Sequence, residues 1–567
     1  MFKRIPARKS GFTLPDVFAF ALIVAAFMAF LTVARYWSGP LLPPQPIDLS
    51  FGSLPYALFL SFSRIVLAYL VCLVSSLAIG YWAAHSKVAE SVIIPLIDIG
   101  QCVPVLAFLP GLNLTFIMLF PESRVGLEIA AILMLYTSMA WNLMLAFYGS
   151  IKTIPREYVD TIKAYGYGPL GILFRLELPY SMNAIVWNSM LSVAGGWFFL
   201  TVCESYTLGN ASYNLVGLGS FMKLAGDRGE YVALITGGAT MVLILVLTDF
   251  LLWNPLLRWA ERFQRIQANG EEDADEPVLN FFAKSKRITS FLRKIRRRYA
   301  ARLYVYQKRG RRRRESKFEW QLMGYCLLVV LIGFSAWGIF LAGEALFAMP
   351  KREWVGILEG AAWTLLRVVL VVVISGLTMV PLGLWLGTQP RLVKRIQPII
   401  QVVAAFPWPM IFPILMMTMV SLSLPVFVAS VVLMMTGAMW YLLFNVISGA
   451  ASVPEQLVEV ARTTGMGKLE IMRRVYLPAT FSPILTGLIT AAGGAWNVSI
   501  VAELVIFRGQ EYSVKGLGTY ISKATERAAY SELAAAVMVM IVLIVLLNRT
   551  FWAKLYDLAQ SKYRLDG

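Results

Sequence analysis

The sequence predicts an all-α polytopic membrane protein made of two tandem six-helix units, and three observations lead to this fold class. Of the 567 residues, 58% are hydrophobic and 15% are charged, with a mean hydropathy of +0.66. This composition is too apolar for a soluble globular protein. About twelve segments are apolar over the roughly 20 residues that a helix needs to cross a bilayer core of about 30 Å. The two sets of six resemble each other, which indicates an internal duplication.

The apolar runs place the spans along the chain. The first run follows a basic cluster at the amino terminus. We interpret it as a span and not as a cleaved signal peptide, because it is long and lacks a small-residue cleavage site. The twelve spans are predicted at about 17–37, 56–84, 90–119, 126–149, 183–206 and 231–256 in the first set, and at about 320–342, 362–387, 397–419, 423–447, 481–506 and 533–548 in the second.

Landmark residues show that the two sets are parallel copies. Early landmarks lie 303 residues apart and later ones 299 apart, so the second copy is four residues shorter after its third span. The matched pairs are Arg64 and Arg367, Pro104 and Pro407, Trp197 and Trp496, Glu204 and Glu503, Gly217 and Gly516, and Gly219 and Gly518. The prolines of the third spans are expected to break or kink these helices near the middle of the membrane.

The charge distribution divides the chain into three parts. Residues 257–317 carry 19 Lys and Arg against 7 Asp and Glu, out of a net charge of +18. We predict a first transmembrane domain at 1–256, a basic cytoplasmic linker at 257–317 and a second transmembrane domain at 318–567. Basic residues beside membrane spans bind anionic lipid headgroups, so we expect lipid and no nucleic acid as the partner of the linker. The four cysteines lie in apolar runs without CxxC spacing, and no metal site is predicted.

Lys and Arg in the short loops set the orientation. They concentrate at both termini, in the linker and in the loops after the second and fourth spans of each copy. Positive residues accumulate on the cytoplasmic side, so both termini are predicted to be cytoplasmic.

A polar helical segment between the fourth and fifth spans occurs twice on that cytoplasmic side. Residues 154–179 read IPREYVDTIKAYGYGPLGILFRLELP and residues 453–478 read VPEQLVEVARTTGMGKLEIMRRVYLP. Two short helices separated by a glycine break would expose a compact knob to a soluble partner. The alternative is an ordinary amphipathic interfacial helix, which the duplication makes less favourable.

The second segment resembles the EAA loop of the permeases of binding-protein-dependent ABC importers. The resemblance rests on Glu459, Val460 and Ala461, on Gly465 and on the terminal Leu477-Pro478, whereas the first segment retains only Asp160 and Gly166 of the pattern. It implies two type I importer transmembrane domains in one chain, covering nearly all of both units. The residues that it assigns to ATPase docking are Glu157, Asp160, Lys163, Gly166, Glu459, Ala461, Arg462 and Gly465.

The resemblance also implies the partners and the location. We expect two copies of a separate ABC ATPase, one under each docking segment, and a periplasmic or lipid-anchored substrate-binding protein on the far face. ATP and Mg²⁺ would bind the ATPase and no cofactor would bind this chain, because residues 465–469 lack the spacing of a phosphate loop. The expected location is the bacterial cytoplasmic membrane.

The third spans, IIPLIDIGQCVPVLAFLP and IQPIIQVVAAFPWPMIFPI, and the Gly-Leu-Gly after each fifth span suggest a subclass. They resemble the permeases of the nitrate, sulfonate and taurine class, especially their duplicated, fused form. That class implies a small anionic solute. Nitrate, sulfonates and bicarbonate all remain candidate solutes.

Charged residues inside the spans form two predicted pairs. Arg64 and Glu204 lie at matching depths, as do Arg367 and Glu503. An unpaired Arg within a span costs about 2.5 to 3.5 kcal/mol on insertion scales, so a partner is expected. The pairs are either structural clamps, which we favour, or sites of anion coordination.

Further candidates for the solute pathway are Trp197 and Trp496 on the fifth spans and Asp98 in the third span. A Trp in a span more often serves packing. Together these features predict a fused permease of an ATP-driven importer. The alternatives are a twelve-span transporter driven by an ion gradient, or a membrane scaffold that recruits partners through its basic linker.

Overall fold

The computed structural model of the protein describes residues 31–40, 46–102, 104–208, 211–265, 349–507 and 510–555, with scattered positions at 28, 325–347 and 558. Most of the predicted spans at 17–37 and 320–342 lies outside these residues, as does the predicted linker from residue 266 onward.

The first half folds into helices joined by short connections, because its apolar runs are interrupted by proline, glycine and charged residues. Its elements are α1 Leu54–His85, α2 Lys87–Cys102, α3 Leu109–Leu119, α4 Val125–Lys152, α5 Arg156–Ala164, α6 Pro169–Ile172, α7 Leu178–Glu204, β1 Ser205–Leu208, β2 Ala211–Asn214, α8 Leu218–Arg228, α9 Tyr231–Thr248 and α10 Asn254–Arg265.

The second half follows the same order, with its fourth span divided into two helices and a short helix added before its fifth span. Its elements are α11 Lys351–Gly387, α12 Pro390–Ala405, α13 Phe412–Ser421, α14 Val426–Thr436, α15 Met439–Ala451, α16 Glu455–Thr463, α17 Lys468–Ile471, α18 Leu477–Ala479, α19 Phe481–Ala502, β3 Leu504–Phe507, β4 Gln510–Ser513, α20 Leu517–Glu526 and α21 Tyr530–Leu547. The all-α polytopic fold and the internal duplication predicted from the sequence are confirmed.

The described part of the chain contains seven helices that are long and apolar enough to cross a membrane, or nine if each of two bent pairs counts as one span. The third span of each half is interrupted where the prolines occur. A short 3₁₀ turn, Val105–Phe108, separates α2 from α3, and Trp408–Ile411 separates α12 from α13. The two segments of the second-half span meet at 65°. The predicted spans at 90–119 and 397–419 are therefore each two helices.

Two small β-hairpins were not predicted from the sequence. β1 pairs antiparallel with β2 from Ser205 opposite Asn214, and β3 pairs with β4 from Leu504 opposite Ser513. Each hairpin directly follows a fifth span. In the second half, Glu511 on β4 lies 2.7 Å from Nζ of Lys523 on α20. The hydrogen bond from Lys523 lowers the pKa of the Glu511 carboxyl.

The two halves pack crosswise through their third and fifth spans. α12 contacts α7 and α9 of the other half, and the turn Val105–Phe108 contacts α19. The backbone N–H of Val105 donates to Oδ1 of Asn497 at 2.7 Å across this interface. Leu106 and Phe198 belong to the apolar core of the second half, while Met410 belongs to that of the first. The fifth spans therefore lie at the centre of the molecule.

Candidate functional site: docking segments, ion clusters and a central cavity

The two docking segments have the same backbone shape. A nine-residue helix, α5 or α16, is followed by a glycine with positive φ, +77° at Gly166 and +82° at Gly465. Glycine adopts this left-handed conformation without steric cost, which explains its place at the end of each helix. The short helices α6 and α17 follow after Gly168 and Gly467 and contact α5 and α16. Each segment is thus a folded knob.

Most of the predicted docking residues lie on the exposed surface of these knobs. Ala461 is the exception: it is 4% exposed and packs against Val458 and Ile471 inside the second knob. The Ala461 side chain therefore packs inside the knob, and its predicted role in docking stays a prediction. It lies three residues after Val458, on the inner face of α16. The exposed residues are Glu157, Asp160, Lys163 and Gly166 in the first knob and Glu459, Arg462 and Gly465 in the second.

Each knob is joined to its fifth span by a π-helical turn, Leu173–Glu177 in the first half and Met472–Tyr476 in the second. The first turn has an additional anchor that sequence reasoning missed. Nε2 of His85, the last residue of α1, lies 2.9 Å from Oε1 of Glu177. The matching positions in the second half hold Thr388 and Tyr476, which cannot form an ion pair. The two knobs are therefore anchored differently.

The structure brings the predicted pair Arg64 and Glu204 together in a buried cluster. Nη1 of Arg64 donates to Oε1 of Glu204 at 2.5 Å. Nε and Nη2 of the same guanidinium donate to Oε2 and Oε1 of Glu128 at 2.8 and 2.6 Å. All three side chains are at most 1% exposed. Glu128, near the start of α4, was not identified from the sequence, although a carboxylate within an apolar run is itself a signal.

The Glu204 carboxylate also holds the segment that follows the fifth span. The backbone N–H of Gly219, in the first turn of α8, donates to Oε2 of Glu204 at 2.7 Å. A Cβ on Gly217 would lie 2.3 Å from the Glu204 carboxyl carbon, and one on Gly219 would lie 2.6 Å from Cα of Thr201. The Gly-Leu-Gly sequence is therefore explained by close approach to α7.

The second half repeats this cluster with one change. Arg367 Nη1 donates to Glu503, and Gly518 N–H donates to Oε2 of Glu503 at 2.8 Å. Phe427, 299 residues after Glu128, occupies the place of the second carboxylate, with its ring centroid 5.2 Å from Cζ of Arg367. A cation–π contact thus replaces an ion pair. Nε of Arg367 has no hydrogen-bond partner among the described residues.

These clusters link several helices through buried contacts in the observed conformation. Each guanidinium is at most 1% exposed and faces carboxylates that also bind the backbone of α8 or α20. An anion from the pathway has no open approach to either arginine. The geometry therefore supports the structural interpretation of the Arg64 and Arg367 pairs.

A cavity of about 900 Å³ lies between the two halves and is bordered by the fourth, fifth and sixth spans and by the third-span breaks. The predicted pathway residues Trp197 and Trp496 border it but are only 1% and 2% exposed, so their rings mainly pack. Asp98 lies on α2, and its side chain is outside the described part of the structure. Gln401, its match in the second half, lines the cavity, and its Nε2 lies 3.4 Å from Sδ of Met190.

Residues that could hold a metal ion are not grouped in the described structure. No set of three or more His, Cys, Asp or Glu side chains comes together there. The candidate site therefore consists of the ion clusters, the exposed knobs and the cavity.

Comparison with known proteins agrees with this arrangement. The chain is 26% identical to a bicarbonate transport system permease protein of Synechocystis sp., over 41% of this chain and 80% of that protein. It is 26% identical to a nitrate import permease protein of Leptolyngbya laminosa, over 34% of this chain and 66% of that protein. It is 23% identical to a taurine transport system permease protein of Escherichia coli K12, over 34% of this chain and 68% of that protein.

A family model described as the binding-protein-dependent transport system inner membrane component matches the chain twice, at residues 76–253 and 379–559. The two matches cover more than half of the 567 residues. Each contains one complete knob, one fifth span and one Gly-Leu-Gly segment. The chain therefore belongs to the family of binding-protein-dependent transport system inner membrane components and is a multi-pass permease component with a duplicated transmembrane domain.

Proposed function

We propose that this chain forms the translocation path of an ATP-driven importer and moves a small anionic solute, similar to nitrate, sulfonate or bicarbonate, into a bacterial cell. Two separate ATPase subunits would dock on the knobs at 154–179 and 453–478. A substrate-binding protein would deliver the solute at the opposite face. The observation that carries this proposal is the pair of exposed knobs, repeated with the same backbone shape.

The position of the knobs is suited to mechanical coupling. The first knob continues through a π-helical turn directly into the fifth span α7, and the second continues through a π-helical turn and the short helix α18 into α19. Both fifth spans border the central cavity. At their far ends Glu204 and Glu503 hold α8 and α20. A displacement of a knob would therefore reach the cavity wall and the opposite end of the path through the fifth span to which it is joined.

The remaining partners follow from this assignment. ATP and Mg²⁺ would bind the ATPase subunits, and this chain would bind no cofactor of its own. Both termini and the basic linker would lie in the cytoplasm, where the linker would contact anionic lipid headgroups. The anionic character of the solute is supported by the names of the bicarbonate, nitrate and taurine permeases.

The test is co-purification of the detergent-solubilised chain from its native membrane. We would compare wild type with the double variant Gly166→Trp and Gly465→Trp. A Cβ at either glycine meets open space, so the added rings would project from the knobs, and because Trp is strained at positive φ the variant also perturbs the glycine break of each knob. Wild type is expected to bring down an ATPase, and the double variant is expected to lose it.

The matched control is Gly166→Asn with Gly465→Asn, because Asn tolerates positive φ and adds little bulk. This control is expected to retain the ATPase. If wild type brings down no ATPase under conditions that preserve complexes, a transporter driven by an ion gradient becomes the better explanation.

A further inference from the structure

We propose that the central cavity is a solute subsite that favours organic anions with a planar apolar body, such as arylsulfonates, over inorganic oxyanions. This inference rests on the proposed function, because it takes the solute to be an anion that passes between the two halves. It adds the chemical class of that anion.

The size of the cavity is the first argument. Its volume of about 900 Å³ is near the upper end of the roughly 300 to 1,000 Å³ found for sites of organic ligands. A small oxyanion would leave most of this space to water and would contact few of the lining residues at one time. A ring-sized body can touch opposite walls.

The wall provides flat apolar surfaces. Among the described lining residues, six aromatic side chains are not fully buried: Trp141, Phe199, Trp440, Tyr441, Phe444 and Trp552. The fifth spans contribute glycines to the same wall. A Cβ on Gly195 would first meet Oη of Tyr441 at 3.7 Å, and a Cβ on Gly493 would meet nothing within 4 Å. These glycines leave open space along the fifth spans, so the cavity has room for a planar group beside its aromatic residues.

The cavity wall carries too little charge to attract a small ion strongly. Among the described lining residues, Asp249 and Arg549 are the ones that carry charge, and both lie in π-helical turns at the ends of the sixth spans. An inorganic anion between the aromatic walls would lose hydration, and Arg549 in its terminal turn is the one cation among the described lining residues to compensate. An organic anion compensates by burying apolar surface.

Neutral polar groups on the cavity wall are available to the anionic end of such a solute. Asn142 on α4 and Tyr441 on α15 line the cavity at matching positions, 299 residues apart. The side chain of neither residue forms a hydrogen bond within the described part of the chain. The Asn142 amide and the Tyr441 hydroxyl can each donate to a sulfonate or carboxylate oxygen.

The test uses the full chain, purified in lipid nanodiscs. Binding of benzenesulfonate would be measured by saturation-transfer NMR, with methanesulfonate, sodium nitrate and phenyltrimethylammonium as competitors. We expect benzenesulfonate to bind at least tenfold more tightly than methanesulfonate or nitrate. Asn142→Leu combined with Tyr441→Phe is expected to weaken its binding at least fivefold, because both donors are lost.

A cavity-filling variant locates the site. Gly493→Phe places a ring in open cavity space and is expected to abolish benzenesulfonate binding. Gly149→Phe is the matched control, since its Cβ also meets nothing within 4 Å but Gly149 does not line the cavity. Retained ATPase co-purification would show that each variant is folded.

Several outcomes would overturn the inference. They are equal competition by nitrate, tighter binding of phenyltrimethylammonium, no detectable benzenesulfonate binding, or binding that survives both Gly493→Phe and the double donor variant. The importer function would stand in each case if the ATPase still co-purifies. Loss of the ATPase from wild type with retained benzenesulfonate binding would instead reject the proposed function alone.

Discussion

At the scale of single residues, the two buried arginines differ in how well they are neutralised. Arg64 faces two carboxylates, Glu128 and Glu204, whereas Arg367 faces Glu503 and the ring of Phe427. A guanidinium buried without a carboxylate is costly, because hydration is lost and no opposite charge replaces it. The second cluster therefore depends on a single carboxylate.

This difference predicts unequal effects of removing one negative charge. Glu503→Gln leaves Arg367 without an ion pair and is expected to lower the free energy of unfolding by about 3 to 5 kcal/mol. Glu204→Gln leaves the two hydrogen bonds from Arg64 to Glu128 intact and is expected to lower it by clearly less. Thermal unfolding of the two purified variants in detergent measures these losses of stability. Equal losses would contradict the argument, and a Glu204→Gln protein that folds normally but does not transport would show a role beyond clamping.

At the scale of elements, the two docking knobs share a backbone but not their attachment. The first is held to the end of α1 by His85 and Glu177. The second has a small apolar core of its own, which includes Val458, Ala461 and Ile471, whereas α5 contains no buried residue. The first knob therefore relies on a polar anchor and the second on packing.

The polar anchor can be tested by hydrogen exchange. Glu177→Gln is expected to speed backbone amide exchange at 154–179 by roughly fivefold, since a hydrogen bond to a partly exposed charged group contributes about 1 kcal/mol. The rate of amide exchange in segment 453–478 should not change. Tyr476→Phe, at the matching position of the second half, serves as the control. Unchanged exchange in the Glu177→Gln protein would show that the contact does not hold the knob.

At the scale of the whole molecule, the halves are held together by more than the linker. The third span of each half packs against the fifth span of the other, and Val105 bonds to Asn497 across the interface. Leu106 and Phe198 are buried in the core of the opposite half. Assembly is therefore expected to follow from the spans themselves.

Deleting the linker segment 266–317 and co-expressing the two halves tests this expectation. Halves carrying different tags are expected to co-purify and to retain the ATPase, because the interface is formed by the spans. Separation of the halves would show that the linker provides the association. Intact association with complete loss of function would favour the scaffold alternative.

Several features of the fold were predictable because they depend on local sequence. The apolar runs indicated the spans that the structure describes, and the repeated landmarks indicated the duplication. The glycines at 166 and 465 marked the breaks within the knobs. The hairpins were missed, since strands of four residues give little periodic signal, although Gly209-Asn210 is a dipeptide typical of hairpin turns.

The membrane class, the two-fold repeat and the pairing of Arg64 with Glu204 and of Arg367 with Glu503 followed from the order of residues, since a charge in an apolar span requires a partner at its depth. The roles of Glu128 and Phe427 in these clusters, the burial of Ala461 and the aromatic lining of the cavity became evident from the packed helices. The reason is that the sequence of an apolar helix does not fix how the helix is rotated about its axis. A helix that is apolar on all sides can turn any face toward its neighbours, and which face it turns depends on packing against the rest of the molecule.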